Sequence, residues 1–282
     1  MPVWEYYHPD MATLHIVATP IGNLGDLSAR ALEVLTSVDL IAAEDTRVTR
    51  RLLSRYGIST RLTSYHEHSP ASKLESLLES LADGDVAVVC DAGTPGISDA
   101  GRELVSAAAA AGAAVVAVPG PSAVTSAVSV SGLAIGGFVF LGFLPRARGE
   151  RRALLADRAG ERLALVAFEA ARRLRSSLTD ILDVLGDRQI AVCREITKVH
   201  EEVFRGPISG ALDHFTQPRG ELTLVVEGAR DRLPDPGALE EEAARMLARL
   251  RSGGTSGRDA VSEVTRATGL AKRRVYELWR GG

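Results

Sequence analysis

The sequence predicts an α/β fold with two lobes and a small helical extension at the C terminus. Over the first half, short apolar runs alternate with longer amphipathic segments, which is typical of parallel strands covered by helices. The chain of 282 residues is too long for one minimal domain and suits two lobes. The pattern breaks at Ser131–Gly137, a glycine-rich stretch with little charge, which predicts the boundary between the lobes.

The first lobe is expected to span residues 14–133, after a tail of residues 1–13. Its strands are predicted at Leu14–Ala18, Val38–Ala43, Val86–Cys90 and Ala114–Val118, with one more at Thr60–His66. Its helices are predicted at Leu27–Thr36, Thr46–Tyr56, Ala71–Leu81 and Gly101–Ala111.

The second lobe is expected to span residues 138–230. Its strands are predicted at Phe138–Leu144, Leu163–Phe168, Gln189–Glu195 and Glu221–Glu227. Between Lys198 and Ile208, alternation of apolar and polar residues from Val199 onward predicts a partly exposed strand of a hairpin, so this sheet should be mixed. Residues 236–282 form the helical extension, with a helix at Leu239–Leu250, a linker at Ser252–Gly257 and two short helices around Gly269.

Composition excludes several classes of protein. Hydrophobic residues make up 45% of the chain and charged residues 24%, which argues against wholesale disorder, and a formal charge of −3 argues against a generally basic coat protein. The two cysteines, Cys90 and Cys193, each close an apolar run and are expected to be free, buried thiols. No run approaches the ~20 apolar residues that span a membrane, and the start lacks the apolar core of a signal peptide. A soluble, cytoplasmic protein is therefore expected.

The loops after the first-lobe strands carry the most informative residues. In open α/β sheets, ligands bind beyond the carboxyl ends of the strands. Glycines and prolines there fix the path of a loop and expose backbone N–H and C=O groups. Such loops suit a ligand with an adenine edge, ribose hydroxyls and an amino-acid end. The four loops are Thr19–Leu24, Ala43–Arg47, Asp91–Asp99 and Pro119–Ala123.

Several common sites are missing from these loops. The chain has no G-x-G-x-x-G after the first strand and no G-x-x-x-x-G-K-[ST], which disfavours ordinary dinucleotide and P-loop chemistry. The segment Gly96–Gly101 has the wrong spacing for a hydrolase nucleophile. His66 and His68 flank Glu67 without an H-E-x-x-H pattern, so no metal is expected.

The loops resemble those of the tetrapyrrole methylase superfamily of class III methyltransferases and, within it, the methyltransferases of small-subunit ribosomal RNA. The resemblance is carried by ATPIGNLGDLSARAL (18–32), LIAAEDTR (40–47), CDAGTPGISDAG (90–101), VPGPSA (118–123), GFLPR (142–146), REITK (194–198) and GELTLVVEG (220–228). It implies a two-lobed fold that binds S-adenosylmethionine in the cleft, a homodimer, and methylation of the 2′-hydroxyl of cytidine 1402 in 16S rRNA of the small ribosomal subunit.

The resemblance also implies a set of cofactor contacts. They are Pro20, Gly93, Thr94, Pro95, Ile97, Ser98, Ser122 and Ala123 from the first lobe, and Phe168 and Glu169 from the second. The chain departs from the family pattern at Ala100, where S-D-P-G is common, and at Phe168–Ala170, where many members have Y-E-S. A role for a tyrosine hydroxyl or for that serine is therefore in doubt here.

Charged residues at strand ends are the catalytic candidates. A ribose hydroxyl is a poor nucleophile, so a positioned base or a cation near the developing alkoxide is expected. Glu195 and Lys198 could form a carboxylate–ammonium pair facing the cleft, or a structural ion pair at a strand end. Glu44 and Asp45 are further candidates, and with Arg47 they could instead cap the helix that begins at Thr46.

RNA binding requires local positive charge, because phosphate contacts dominate affinity. The basic clusters are Arg146-Arg148-Arg151-Arg152, Arg172-Arg173-Arg175 and Lys272-Arg273-Arg274. The expected RNA contacts are Arg47, Arg146, Arg148, Arg172, Lys272, Arg273 and Arg274. Such clusters can equally be solvated helix faces, and the extension could serve dimerisation or packing. Two other functions stay open: methylation of a tetrapyrrole precursor, and a non-catalytic role in RNA binding or ribosome assembly.

Overall fold

The computed structural model describes residues 12–97, 101–229 and 236–281. The chain divides into two compact units, Met1–Ala229 and Arg230–Gly282. The first unit holds two five-stranded sheets with their helices, and the second is built from helices. Most of the predicted tail lies outside the described residues, and the first strand begins at Thr13.

The first sheet is entirely parallel and has the order β3-β2-β4-β1-β5. Each strand lies within the predicted run or starts one residue before it. Its central strand β4 is buried at all four positions, as expected for a parallel strand covered on both faces. The strands are β1 (Thr13–Val17), β2 (Leu40–Ala43), β3 (Leu62–Ser64), β4 (Val86–Val89) and β5 (Ala114–Val118).

Helices follow the strands of this sheet, as the alternating pattern predicted. They are α1 (Ala29–Ser37), α2 (Thr46–Arg55), α3 (Ala71–Asp83) and α4 (Arg102–Ala110). Side-chain caps set where the first two begin. The Ser28 hydroxyl accepts a hydrogen bond from the Ala31 N–H at 3.1 Å, and the Asp45 carboxylate accepts one from the Arg47 N–H at 2.8 Å.

The next helix, α5 (Ala123–Ser131), packs on the second sheet rather than on the first. Its buried residues Val124 and Ala127 share an apolar cluster with residues of the second sheet. The Arg205 guanidinium of that sheet also donates to the Val130 carbonyl at 3.0 Å. The sequence pattern assigned this segment to the first lobe, because helix and strand alternate there without interruption.

The second sheet is mixed, as predicted, with the order β6-β7-β10-β8-β9. Only the β6–β7 pair is parallel. The face opposite α5 is covered by three helices around a large apolar core. The strands are β6 (Phe138–Phe143), β7 (Ala164–Ala170), β8 (Gln189–Arg194), β9 (Glu202–Pro207) and β10 (Glu221–Val226), and the helices are α6 (Arg148–Asp157), α7 (Leu174–Leu185) and α8 (Ile208–His214).

The hairpin between β8 and β9 differs from the sequence prediction. Alternation suggested a strand from Val199 onward, yet β9 begins at Glu202 and Val199 is 96% exposed. Glu195 and Thr197 have positive φ angles of 51° and 69°, which no regular strand allows. Two turns, closed by the Lys198 N–H on the Glu195 carbonyl at 2.9 Å and by the Glu201 N–H on the Lys198 carbonyl at 3.0 Å, replace only the start of the expected strand, and β9 forms the rest of the hairpin.

The second unit contains α9 (Pro236–Ser252), α10 (Gly257–Thr268) and α11 (Lys272–Gly281), close to the predicted helices. Its core includes Leu247, Val261 and Val275. Gly269, with a φ of 70°, ends α10 and allows the short turn into α11.

Candidate active site

The carboxyl ends of the first-sheet strands come together as predicted. The loop after β1 and the loop after β4 pair directly: the Thr19 N–H donates to the Gly93 carbonyl at 2.8 Å, and the Gly93 N–H donates back to Thr19 at 3.0 Å. Gly93 has a φ of 87°, a conformation that favours glycine. This bridge holds the two loops at the mouth of a cavity.

The cavity has a volume of about 410 Å³ and lies between the two sheets of the first unit. Both sheets contribute to its wall, as the resemblance implied. The predicted site residues that line it are Glu44, Gly93, Thr94, Ile97, Ser122, Ala123, Phe168 and Glu169. Pro20 and Pro95 belong to the same loops but are not part of the wall, and Ser98 lies outside the described residues.

The first-lobe wall is built mainly from loop backbone. Thr94 donates its hydroxyl to the Pro121 carbonyl at 3.4 Å, which ties the loop after β4 to the loop after β5. Helix α5 begins at the cavity, and its N-cap residue Ser122 and first residue Ala123 belong to the lining. Its N terminus has no side-chain cap hydrogen bond. Backbone donors of that turn are therefore available to a ligand.

The second-lobe wall is largely apolar. Phe168 packs its ring against Phe140 and Phe143, with centroids 5.0 and 5.3 Å apart. Its neighbour Glu169 contributes to the lining, but its carboxylate is committed elsewhere: it binds the Arg173 guanidinium at 2.5 Å and accepts from the Ser177 hydroxyl. Successive strand residues point to opposite faces, so Phe168 and Glu169 cannot both direct their side chains into the cleft.

Three carboxylates cluster where β2 and β4 end. The Asp45 N–H donates to Asp91 at 3.0 Å, and the Asp91 N–H donates to Glu44 at 3.3 Å. Hydrogen bonds from Arg47 lower the pKa of Asp45 to about 2, whereas burial raises the pKa of Asp91. Asp45 and Arg47 pair with each other at 2.6 Å and lie outside the wall. Asp45 also caps α2, as the capping interpretation predicted for this residue.

Lys198 binds two carboxylates at the rim of the cavity. Its Nζ lies 3.0 Å from Glu195 Oε1 and 2.8 Å from Glu221 Oε2. Although burial opposes the charge, these hydrogen bonds raise the pKa of Lys198. A hydrogen bond from the Glu221 N–H, followed by the contact with Lys198, lowers the pKa of Glu195. Glu195 and Lys198 therefore carry their charges at neutral pH.

This rim also joins the two lobes. A Cβ on Gly22 would lie 2.4 Å from Lys198 Cγ, so only glycine lets the lysine stem pass the loop after β1. The Asn23 N–H donates to the Thr197 hydroxyl at 3.1 Å across the same contact. Glu195 and Lys198 do not line the cavity themselves. Lys198 binds the carboxylate of Glu221, which does line it.

Sequence reasoning missed several residues of the wall. Ile21, Asp91 and Ala92 belong to loops that it did single out, so the signal was present. Glu221 starts β10, inside a segment that carried the resemblance, but nothing local marked its carboxylate. Cys193 also lies in the wall, and burial raises the pKa of its thiol to about 11. Both cysteines are buried thiols that form no disulfide, as predicted.

The predicted basic clusters are more heavily paired than their sequence suggests. Asp180 on α7, whose side chain is 1% exposed, binds Arg148 at 3.0 Å, Arg151 at 2.5 Å and Arg152 at 3.3 Å. Within the second unit, Arg274 pairs with Glu240 and Glu277, and Arg273 pairs with Glu277.

Three of the expected RNA contacts have exposed side chains with no ion-pair partner in the part of the chain that the structure describes. They are Arg146, Arg172 and Lys272. Over the same ranges, no helix is long and apolar enough to cross a bilayer, and no three His, Cys, Asp or Glu side chains are arranged to hold a metal ion.

Several known proteins are similar to this chain in sequence or in fold. A relative from Synechocystis sp. named "Ribosomal RNA small subunit methyltransferase I" is 43% identical over 95% of this chain and 97% of its own length. Relatives with the same name from Bacillus subtilis and Thermotoga maritima are 40% and 48% identical, over 96% and 77% of this chain and 94% and 99% of their own lengths.

Solved structures agree on the fold. A cobalt precorrin-4 methyltransferase superposes with a TM-score of 0.59 at 16% identity, over 76% of this chain and 94% of its own. Diphthine synthase gives a TM-score of 0.58 at 15% identity, over 77% of this chain and 90% of its own. The family model described as "Tetrapyrrole (Corrin/Porphyrin) Methylases" matches residues 13–212. The chain therefore belongs to the tetrapyrrole methylases, which confirms S-adenosylmethionine as its expected cofactor.

Proposed function

We propose that this chain transfers a methyl group from S-adenosylmethionine to the 2′-hydroxyl of a cytidine ribose, at position 1402 of 16S rRNA. The observation that carries the proposal is a ligand-sized cavity with a lysine fixed at its rim by two carboxylates. The names of relatives 40% and 43% identical over nearly the whole chain support small-subunit ribosomal RNA as the substrate. We further propose that the protein acts as a cytoplasmic homodimer.

The residues of the cavity fit the cofactor. A volume of about 410 Å³ lies within the range of roughly 300–1,000 Å³ found for small-molecule sites. The backbone of Gly93 and Thr94 and the start of α5 at Ala123 would hold its polar groups, and Ile21 and Phe168 would cover its apolar surface. When bound, S-adenosylmethionine supplies an electrophilic methyl group on a sulfonium, which leaves as a neutral thioether.

Lys198 would act on the acceptor oxygen. Negative charge grows on that oxygen as the hydroxyl is deprotonated, and a fixed cation lowers the energy of that state without reorganising. Two carboxylates hold the Lys198 ammonium in place, and their hydrogen bonds keep it protonated. The same arrangement orients the ribose hydroxyl toward the methyl group, and orientation of this kind contributes several kcal/mol.

The pairing of basic residues divides the expected RNA contacts into two groups. Arg47, Arg148, Arg273 and Arg274 already bind carboxylates. We propose that the exposed side chains of Arg146, Arg172 and Lys272, which lack such partners among the described residues, make the stronger phosphate contacts. Replacing one of them with serine should lower the slope of log affinity against log salt by about 0.7, the value for single strands. The same change at Arg273 should alter the slope less.

Mass spectrometry of 16S rRNA nucleosides tests the function. Small subunits from cells that lack this protein should gain 2′-O-methylcytidine at position 1402 when incubated with the purified protein and S-adenosylmethionine. Methyl incorporation into a tetrapyrrole precursor but not into small subunits would contradict the proposal. So would calorimetry that detects no cofactor binding, because it would favour a non-catalytic RNA-binding factor. Light scattering tests the dimer, whose mass should be twice 29.9 kDa.

A further inference from the structure

The two carboxylates that share Lys198 differ in their other contacts. Glu195 is the more enclosed of the two: its Oε1 accepts both from the Glu221 N–H at 2.8 Å and from Lys198 at 3.0 Å. Its side chain is 19% exposed, and a Cβ on Gly220 would lie 2.5 Å from its carboxyl group. Glu195 also sits in left-handed backbone, with a φ of 51°. This carboxylate is fixed by packing, and the hydrogen bond from the Glu221 N–H lowers its pKa, which makes it a weaker base.

Glu221 is in the opposite situation. Its side chain is 76% exposed and lines the cavity. Only its Oε2 has a partner, the Lys198 Nζ at 2.8 Å, and its Oε1 accepts no hydrogen bond from any described residue. Glu221 pairs in the sheet with Ala170, another residue of the wall. The Glu221 carboxylate therefore belongs to the cavity wall and has one oxygen on the Lys198 ammonium and one that accepts from no described residue.

We propose that Glu221 is the general base of the reaction, and that Glu195 is a positioning residue that fixes Lys198 and the Glu221 backbone. The inference rests on the proposed methyl transfer to a ribose hydroxyl. In that step, the hydroxyl O–H bond breaks and its proton passes to Glu221 Oε1. An oxygen electron pair forms the bond to the methyl carbon, and the carbon–sulfur bond breaks with its pair staying on sulfur. The product is a methyl ether beside a protonated Glu221.

The other carboxylates of the cavity suit this role less well. Glu44 and Asp91 lie on the first-lobe wall, and each accepts a backbone N–H. Neither forms an ion pair with a described residue, so no ammonium stands beside them to stabilise the acceptor oxygen. Glu221 alone among these lining carboxylates combines a free oxygen with a contact to a lysine.

The test compares Glu221→Gln with the wild type on small subunits. Glutamine keeps the shape of the side chain and an oxygen that can accept from Lys198, but it takes no proton at neutral pH. The single-turnover rate should fall by about 10²–10⁴-fold, the usual contribution of a general base. Cofactor affinity measured by calorimetry should be unchanged.

The pH profile distinguishes a base from a structural residue. The wild-type rate should rise with pH as the essential carboxylate loses its proton, and Glu221→Gln should lack that rise. Glu195→Gln should lower the rate but keep the rise, because the base is still present. The charged groups on adjoining segments that could shape the profile are Lys198, Glu195, Glu44, Asp91, Arg194 and Arg219. Glu33→Gln, an exposed change on α1, is the matched control and should behave as wild type.

Each outcome bears on one proposal. A wild-type rate and profile for Glu221→Gln, on subunits that the wild type does methylate, would overturn the role of Glu221. Loss of cofactor binding in that variant would overturn it too, since Glu221 would then be a binding residue. If the wild type binds the cofactor but transfers no methyl to small subunits, the proposed function fails instead, whatever the variants do.

Discussion

The two lobes of the first unit contribute different kinds of groups to the same cavity. The first, with its all-parallel sheet, supplies loop backbone, including the paired Thr19 and Gly93. The second, with its mixed sheet, supplies the aromatic wall around Phe168 and the rim at Lys198 and Glu221. Under the proposed function, the first lobe would mainly hold the cofactor, and the rim of the second lobe would act on the acceptor hydroxyl. Changes in the two lobes should therefore affect binding and rate separately.

Among the changes that test this comparison, Lys198→Met should have the largest effect on turnover. Methionine keeps the stem that packs beside Gly22 but removes the charge. Loss of one preorganised group that stabilises an oxyanion costs about 10²–10³-fold in turnover. Cofactor affinity should stay near the wild-type value. Single-turnover assays and calorimetry check both parts, and unchanged turnover would remove Lys198 from the reaction.

Asp180→Asn should lower the free energy of unfolding by an amount similar to the rise in activation free energy expected for Lys198→Met. It should leave turnover unchanged. Breaking a buried ion pair costs about 3–5 kcal/mol, and Asp180 binds three arginines on α6. Denaturant unfolding should show this loss, while folded protein should keep its turnover, because the network is not part of the cavity wall. A variant with normal stability and reduced turnover would contradict this purely structural role of Asp180.

The same variant carries a pH prediction. Although burial opposes its charge, hydrogen bonds from Arg148, Arg151 and Arg152 lower the pKa of Asp180 in the folded protein. The resulting stability is present above the unfolded pKa of about 3.9 and is lost as pH falls through the lower folded pKa. The wild type should therefore lose more stability than Asp180→Asn on acidification below about pH 4.

Gly93→Ala should affect binding rather than rate. Left-handed backbone costs a residue with a Cβ about 1–2 kcal/mol, and Gly93 has a φ of 87° in the wall. Cofactor affinity should fall by about tenfold, with turnover at saturation preserved. Gly112→Ala is the matched control, since its φ is 86° and no atom lies within 4 Å of the added Cβ. Equal losses of affinity in both variants would show that strain, not the site, is responsible.

Arg47→Ala should have the smallest effect on the reaction. Its guanidinium already binds Asp45, and both lie outside the cavity wall. Removing it should raise the pKa of Asp45 from about 2 part of the way toward its usual value of 3.8, because the side-chain hydrogen bonds from Arg47 are lost while the backbone hydrogen bonds remain. Carboxyl NMR titration measures this shift. A large fall in methyl transfer in this variant would give the first lobe a catalytic part after all.

The first lobe was the more predictable of the two, for a geometric reason. All carboxyl ends of a parallel sheet meet at one edge, so apolar runs and the loops after them suffice to place Gly93 and Ser122 together. In the second lobe, antiparallel strands bring both beginnings and ends to the site. Glu221, the first residue of its strand, therefore gave no local signal.

Other features depended on contacts that are distant in sequence. Arg151 meets Asp180 across 29 positions, so neutralisation of the basic cluster could not be read from the cluster itself. The orientation of Glu169, by contrast, could have been predicted from the sequence. Side chains alternate along a strand, so Glu169 cannot lie on the face that Phe168 occupies.

The start of helix α5 forms part of the cavity wall. It is embedded in the second lobe, yet it follows β5 of the first lobe after only residues 119–122. These few residues are a covalent bridge between the lobes, and two of them, Pro119 and Pro121, have a fixed φ. Any rocking of one sheet against the other must bend this bridge beside Ser122, which is itself in the wall. A ligand bound against Ser122 would therefore restrict the relative movement of the two sheets.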